Sequence, residues 1–137
     1  MKTVVLDTNV YVDWLARRDH EELVLGGATR RHMSAVVAME LRVGARTLPG
    51  RRAVARVLAT FARSGRVLVP TKAVWNAAGD VLQRLSDAGV EIRRASLSHD
   101  VLIALSARSI GATVVTQDRD FEVIRRVVPF ELQLVVR

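Results

Sequence analysis

Two short apolar runs, Val4-Val5-Leu6 and Ala112 to Val115, do not alternate with polar residues, and each leads into a polar turn holding an acid, Asp7 and Asp118. A strand with one wet face alternates, whereas a strand covered on both faces is almost continuously apolar. Such runs belong to a mostly parallel sheet with helices on both sides.

The intervening segments carry the helical period. Val10, Trp14 and Arg17 recur at helical spacing beside Tyr11 and Leu15, and a second helical piece spans 20–25 before Gly26-Gly27 breaks it. A brief strand over 30–33 precedes Ser34, the N-cap expected for a helix over 35–45. Pro49-Gly50 is expected to form a loop, followed by an Arg-rich amphipathic helix over 51–63 that Ser64-Gly65 closes. Residues 66–69 are strand-like up to Pro70. A helix over 71–88 presents Val74, Ala78, Val81, Leu82 and Leu85 on one stripe and stops at Gly89. Further along, 91–95 is expected as a strand, Ser98 as the cap of a helix to 109, 112–116 as a strand, 118–126 as a short helix and 132–136 as the last strand.

The chain has 137 residues, half of them hydrophobic, and no cysteine. That length suits one α/β domain over 1–137, with Met1 read as its start, and a core that needs no staples. Disulfide scaffolds, Cys-ligated zinc, iron–sulfur clusters and cysteine nucleophiles are excluded. No run approaches the roughly 18 apolar residues of a membrane helix, so no membrane association and a cytoplasmic location are expected. Lys and Arg total 21 against 14 Asp and Glu, a net charge of +7 that points to polyanions as partners. With only six aromatic residues, a stacking platform for bases is poorly supplied.

In a parallel sheet, ligands collect outside the carboxyl ends of the strands. Asp7 and Asp118 lie there, and either alone could be a bland capping acid. Asp100 shares a helical face with Ile103, Ala107 and Ile110, which aims its carboxylate along apolar neighbours. Glu40 is the most informative position. It falls in the stripe Val36, Val37, Leu41 and Gly44, away from Arg42 and Arg46, where an acid without a partner is costly. Convergence of Asp7, Glu40 and Asp100 would concentrate negative charge, and Mg²⁺ or Mn²⁺ would compensate it through oxygen ligands. The histidines His20, His32 and His99 are too scattered for a zinc site, and His99 is expected at the surface of a first helical turn. Asp118 is favoured as the fourth acid and Asp120 kept as peripheral. Asp13 and Asp80 are assigned to solvated helix faces, Asp13 with Arg17 as a candidate ion-pair partner four residues on.

Val4-Val5-Leu6-Asp7-Thr8-Asn9, Ser34 with Glu40 six residues on, Ser98-His99-Asp100 ahead of Ile103-Ala104, and Thr116-Gln117-Asp118-Arg119-Asp120-Phe121 together resemble the PIN-domain ribonucleases over essentially the whole chain. The small size is similar to the VapC-type toxins of toxin–antitoxin pairs. The resemblance implies a three-layer α/β/α sandwich on a parallel five-stranded sheet, Mg²⁺- or Mn²⁺-dependent endoribonuclease activity, a homodimer, and restraint by a small VapB-like antitoxin. Carried over, Asp7, Glu40, Asp100 and Asp118 form the acidic quartet, with Asp7 and Asp100 as principal metal ligands and Thr8, Asn9 and Thr116 in support.

Two other readings compete. A phosphatase of the haloacid-dehalogenase type needs a second Asp two residues after the first, where this chain has Asn9. A non-catalytic RNA-binding or protein-interaction module on the same fold would have no use for Glu40 in an apolar stripe. Neither a dinucleotide glycine loop nor a P-loop occurs. Arg51, Arg52 and Arg56 are candidates for contact with RNA phosphates or an acidic partner, and solvated helix faces account for them equally well. Setting the quartet aside leaves ten acids against 21 bases, a balance of +11 around an acidic pocket.

Overall fold

The computed structural model describes residues 1–136, so the expected domain end at Arg137 lies outside the described residues. Five strands form one sheet in the order β3-β2-β1-β4-β5, every neighbouring pair parallel. The strands are β1 Lys2–Leu6, β2 Thr29–Ser34, β3 Val67–Leu68, β4 Thr113–Thr116 and β5 Glu131–Leu134. The helices are α1 Thr8–Arg17, α2 Glu21–Leu25, α3 Ala35–Gly44, α4 Leu48–Arg63, α5 Lys72–Asp87, α6 Ala95–Ser109 and α7 Asp120–Arg125.

Chain order runs one way from β1 through β2 to β3, then returns past β1 to β4 and β5. Right-handed crossovers therefore place the helices before β3 on one face and those after it on the other, giving three layers. The central strands show the consequence of double covering. Val4, Val5 and Leu6 of β1 and all of Thr113–Thr116 are buried. Each fully buried Val or Leu contributes roughly 1.5–3 kcal/mol over an exposed one, so the centre of the sheet anchors the fold.

Several local expectations are corrected. Pro49 and Gly50 lie in the first turn of α4, not in a loop, because Thr47 caps it by accepting the Gly50 N–H at 3.1 Å and proline is tolerated there. Residues 91–95 are not a strand: the Glu91 carboxylate takes the Arg93 backbone N–H at 2.9 Å and its guanidinium at 3.0 Å, a local turn that leads into α6. Ser98 is no cap, since α6 starts at Ala95 after Arg94, which moves Asp100 into the second turn. Asp118 lies ahead of α7, and β3 and β5 are shorter than the apolar pattern predicted. Ser34 does cap α3, through the Val36 and Val37 N–H groups.

Candidate functional site

The strand order reverses between β1 and β4, which opens a crevice at their carboxyl ends. Asp7 stands at that point, 5% exposed. It caps α1, Oδ1 accepting the Thr8 N–H at 2.8 Å. Its Oδ2 accepts from Thr116 Oγ1 at 2.7 Å and from Asn9 Nδ2 at 3.2 Å. Thr116 Oγ1 in turn accepts from the Asp118 N–H at 3.0 Å and from Asn9 Nδ2 at 3.3 Å. Thr116, Thr8 and Asn9 thus fix one carboxylate across the two central strands.

Glu40 reaches the same region from α3. Its Oε1 accepts from Thr8 Oγ1 at 2.5 Å, and its Oε2 lies 3.3 Å from His99 Nδ1 on α6. His99 is therefore half-buried against an acid rather than a surface residue, a consequence of α6 starting earlier than Ser98 suggests. Asp100, its neighbour, is 8% exposed and receives no hydrogen bond from a described residue. Asp118 Oδ1 accepts the Asp120 N–H at 2.8 Å, and Asp120 is paired with Arg94 at 3.3 Å.

The electrostatics tie these groups together. Burial pushes the Asp100 carboxyl up to about 8, with Asp7, Asp118, Glu40 and Asp120 adding repulsion in that order. Burial likewise raises Asp7 to about 6; the Thr116 and Thr8 hydrogen bonds hold it down, and Glu40 and Asp118 push it higher. The structure thus brings Asp7, Glu40, Asp100 and Asp118 within electrostatic reach of one another, with Asp120 at the edge and paired with Arg94.

Among the described residues, no three of His, Asp or Glu stand close enough to hold a metal ion as a closed set. The donor chemistry nonetheless fits a hard divalent cation. Carboxylate oxygens that repel one another in a desolvated crevice gain most from positive charge, and Mg²⁺ keeps several waters and takes few protein ligands.

Asp13 corrects the sequence reading: it is 4% exposed, not solvated, although its pair with Arg17 forms at 3.0 Å. It also accepts from Gln117 Nε2 at 2.8 Å, a contact across 104 residues that no local spacing announces. Asp80 is exposed, as expected, and pairs with Arg84 at 3.1 Å. Arg51, Arg52 and Arg56 lie on the outer side of α4, and among the described residues no hydrogen bond or ion pair joins them to the acids. Arg51 donates to the Ala45 carbonyl at 3.1 Å. Arg56 borders a groove of about 630 Å³ lined by parts of α1, α2 and α4, with Arg18, Arg31 and Arg66 also on its walls. No described helix is long and apolar enough to cross a membrane.

An all-parallel α/β/α fold with acids gathered at the reversal of strand order defines a class of proteins that work at a carboxylate crevice. The PIN domain family pattern matches residues 4–127, and the chain belongs to that family. Its fold is similar to VapBC-5 of Mycobacterium tuberculosis, a member of the VapBC family of toxin–antitoxin systems, at 25% identity over 98% of this chain and 100% of the other, with a TM-score of 0.70. It is also similar to DNA-bound VapBC from Salmonella typhimurium, at 25% identity over 97% and 98% of the two chains and a TM-score of 0.71. VapBC2 from Rickettsia felis, bound to a DNA fragment from its promoter, shares the fold at 20% identity over 98% and 99%, with a TM-score of 0.72. No curated protein matches the chain.

Proposed function

We propose that this chain is a single PIN domain that hydrolyses RNA phosphodiester bonds with Mg²⁺ or Mn²⁺, and that it is the toxin of a type II toxin–antitoxin pair. The observation that carries the reading is the pair Asp7 and Asp100, buried at the reversal of strand order and held well above the ordinary carboxylate range, each chiefly by burial, with Asp7 adding repulsion on Asp100. Asp7 and Asp100 would hold the cation, with Glu40 and Asp118 completing the acidic wall. When bound, such a cation supplies a Lewis acid for phosphodiester hydrolysis.

The chain's own residues supply orientation. Thr116 and Asn9 hold Asp7 Oδ2, while Thr8 and His99 hold the two oxygens of Glu40. Asp118 is the fourth acid in this reading because Asp120 is engaged by Arg94. No side-chain nucleophile is required: water forms the new P–O bond and the ester oxygen leaves with a proton. The excess of arginine over the rest of the chain attracts the polyanion.

The partner is an acidic, amphipathic antitoxin segment. The groove beside α4 supports this, since its floor holds Tyr11, Trp14 and Phe61 and its walls carry four arginines. VapBC-5 of Mycobacterium tuberculosis is a member of a family of toxin–antitoxin systems, which supports an antitoxin as partner; action in the cytoplasm as a homodimer is part of the same proposal. The test is cleavage of total RNA by purified protein with Mn²⁺, with cleavage ends mapped. Loss of cleavage on Asp7→Asn and on adding EDTA is expected; activity that survives both overturns the reading.

A further inference from the structure

Asp13 and Gln117 form a part-buried contact outside the acidic wall. An acid 4% exposed must be satisfied by donors, and Asp13 Oδ2 takes one from Gln117 Nε2 at 2.8 Å while Oδ1 takes the Arg17 guanidinium at 3.0 Å. Gln117 Nε2 lies 3.0 Å from His20 Nε2 as well, so its second proton meets a ring nitrogen that accepts when the neutral imidazole carries its proton on Nδ1. His20 reaches this place on a turn in which Arg18 and His20 both have φ of 62°, a region that residues other than glycine rarely adopt.

Gln117 lies between Thr116 and Asp118, and its backbone N–H donates to Asn9 Oδ1 at 3.2 Å. The turn after β4 is therefore fastened to α1 at two points one helical turn apart: to Asn9 by backbone and to Asp13 by side chain. Asn9 is the residue whose amide also holds Asp7 and Thr116.

We propose that Gln117 is a positioning residue, clasped by Asp13 and His20, that sets the placement of Asp118 directly and of Asp7 through Asn9. This rests on the nuclease reading above for its consequence in catalysis, but the clasp itself needs neither metal nor RNA. Partners that orient metal-binding side chains typically change metal affinity or activity by roughly 10- to 100-fold when removed.

Gln117→Glu sets an acceptor against the Asp13 carboxylate, Gln117→Met removes the amide at similar length, and the double variant Asp13→Asn/Gln117→Glu restores a donor facing an acceptor in the opposite sense. Each is compared with wild type by amide exchange at residues 116–118 in metal-free protein, by Mn²⁺ titration calorimetry and by kcat and KM for RNA. Gln117→Glu and Gln117→Met are expected to speed exchange, weaken Mn²⁺ binding and lower kcat by about tenfold or more with KM changed little, and the double variant to recover most of each. Folded Gln117→Met with wild-type exchange and wild-type Mn²⁺ affinity would overturn the proposal, as would a folded double variant no better than Gln117→Glu. Wild-type protein that cleaves no RNA would overturn the nuclease reading alone, because the exchange rates still decide the clasp.

Discussion

Thr116 Oγ1 donates to Asp7 Oδ2 at 2.7 Å across two neighbouring central strands, and the same oxygen accepts the backbone N–H of Asp118. One fully buried hydroxyl thus serves two acids of the crevice.

Thr116→Val keeps the shape and removes this bridge. The hydrogen bond lowers the Asp7 pKa, so its loss should carry Asp7 further above about 6 and weaken divalent-cation binding. The Asp118 N–H left without its acceptor, and Asp7 Oδ2 left with Asn9 alone, should cost about 1–3 kcal/mol of stability, measured by urea unfolding. Asp7→Asn in the same background should remove much of that sensitivity, because a neutral side chain loses less than a carboxylate when its donor is gone.

The acids also make the metal-free protein pH-dependent. Asp7 and Asp100 titrate near 6 and near 8 in the folded chain and near 3.8 when unfolded, so between those limits the folded state binds more protons. Stability is then greatest below about pH 4 as far as these two groups are concerned, and falls as pH rises toward 8. Thermal unfolding from pH 5 to 9 with EDTA should show that decline. Asp100→Asn should flatten it and stabilise the protein at pH 8 by on the order of a few kcal/mol, since one pKa unit corresponds to about 1.4 kcal/mol. Saturating Mn²⁺ should raise the wild-type melting temperature most at the alkaline end, where the carboxylates are free to bind it.

The sheet and its acids were visible in the sequence because both follow from local rules. Continuous apolar runs in β1 and β4 require cover on both faces, and Asp7 and Asp118 follow directly from their carboxyl ends. Glu40 stood out because an acid in an apolar stripe conflicts with the cost of burial. The misreadings share a different origin. Ser98 has the residue type of a cap, but α6 starts three residues before it at Ala95, and the shift carried His99 from the surface onto Glu40. Asp13 fitted an i,i+4 pair with Arg17 and that pair exists, yet the side chain is buried and also accepts from Gln117, 104 residues away. Register between distant segments, which helical or strand period does not encode, decided both.

Glu40→Gln tests the second oxygen pair of the wall. The substitution retains an acceptor for Thr8 Oγ1, and Thr8 with its partner stays near the surface of the crevice, so stability should change by less than about 1 kcal/mol. Loss of the charge should reduce RNA cleavage by on the order of 10²-fold, in the range seen when one preorganised electrostatic group is removed. The same substitution relieves repulsion on Asp100, so its carboxyl should titrate lower, which carboxyl-labelled NMR can follow. A fall in activity without that shift would place Glu40 apart from Asp100.

Tyr11 lies in the floor of the groove. Its ring is fully buried and edge-on to Phe61 with centroids 6.4 Å apart, burial pushes its phenol upward, and its hydroxyl has no hydrogen-bond partner among the described residues. A buried donor without an acceptor is a cost to the free protein. Tyr11→Phe should therefore leave the isolated chain as stable as wild type or up to about 1–2 kcal/mol more stable, and leave RNA cleavage unchanged. The buried hydroxyl is out of reach of a segment laid in the groove, so the same variant should bind an acidic antitoxin segment as tightly as wild type. Arg31→Gln should weaken the complex, with a smaller salt dependence of binding than wild type, because Arg31 contributes charge to the groove while donating to the Gly26 carbonyl at 2.6 Å. Wild-type antitoxin affinity in Arg31→Gln would move the partner's docking site away from α1 and α4.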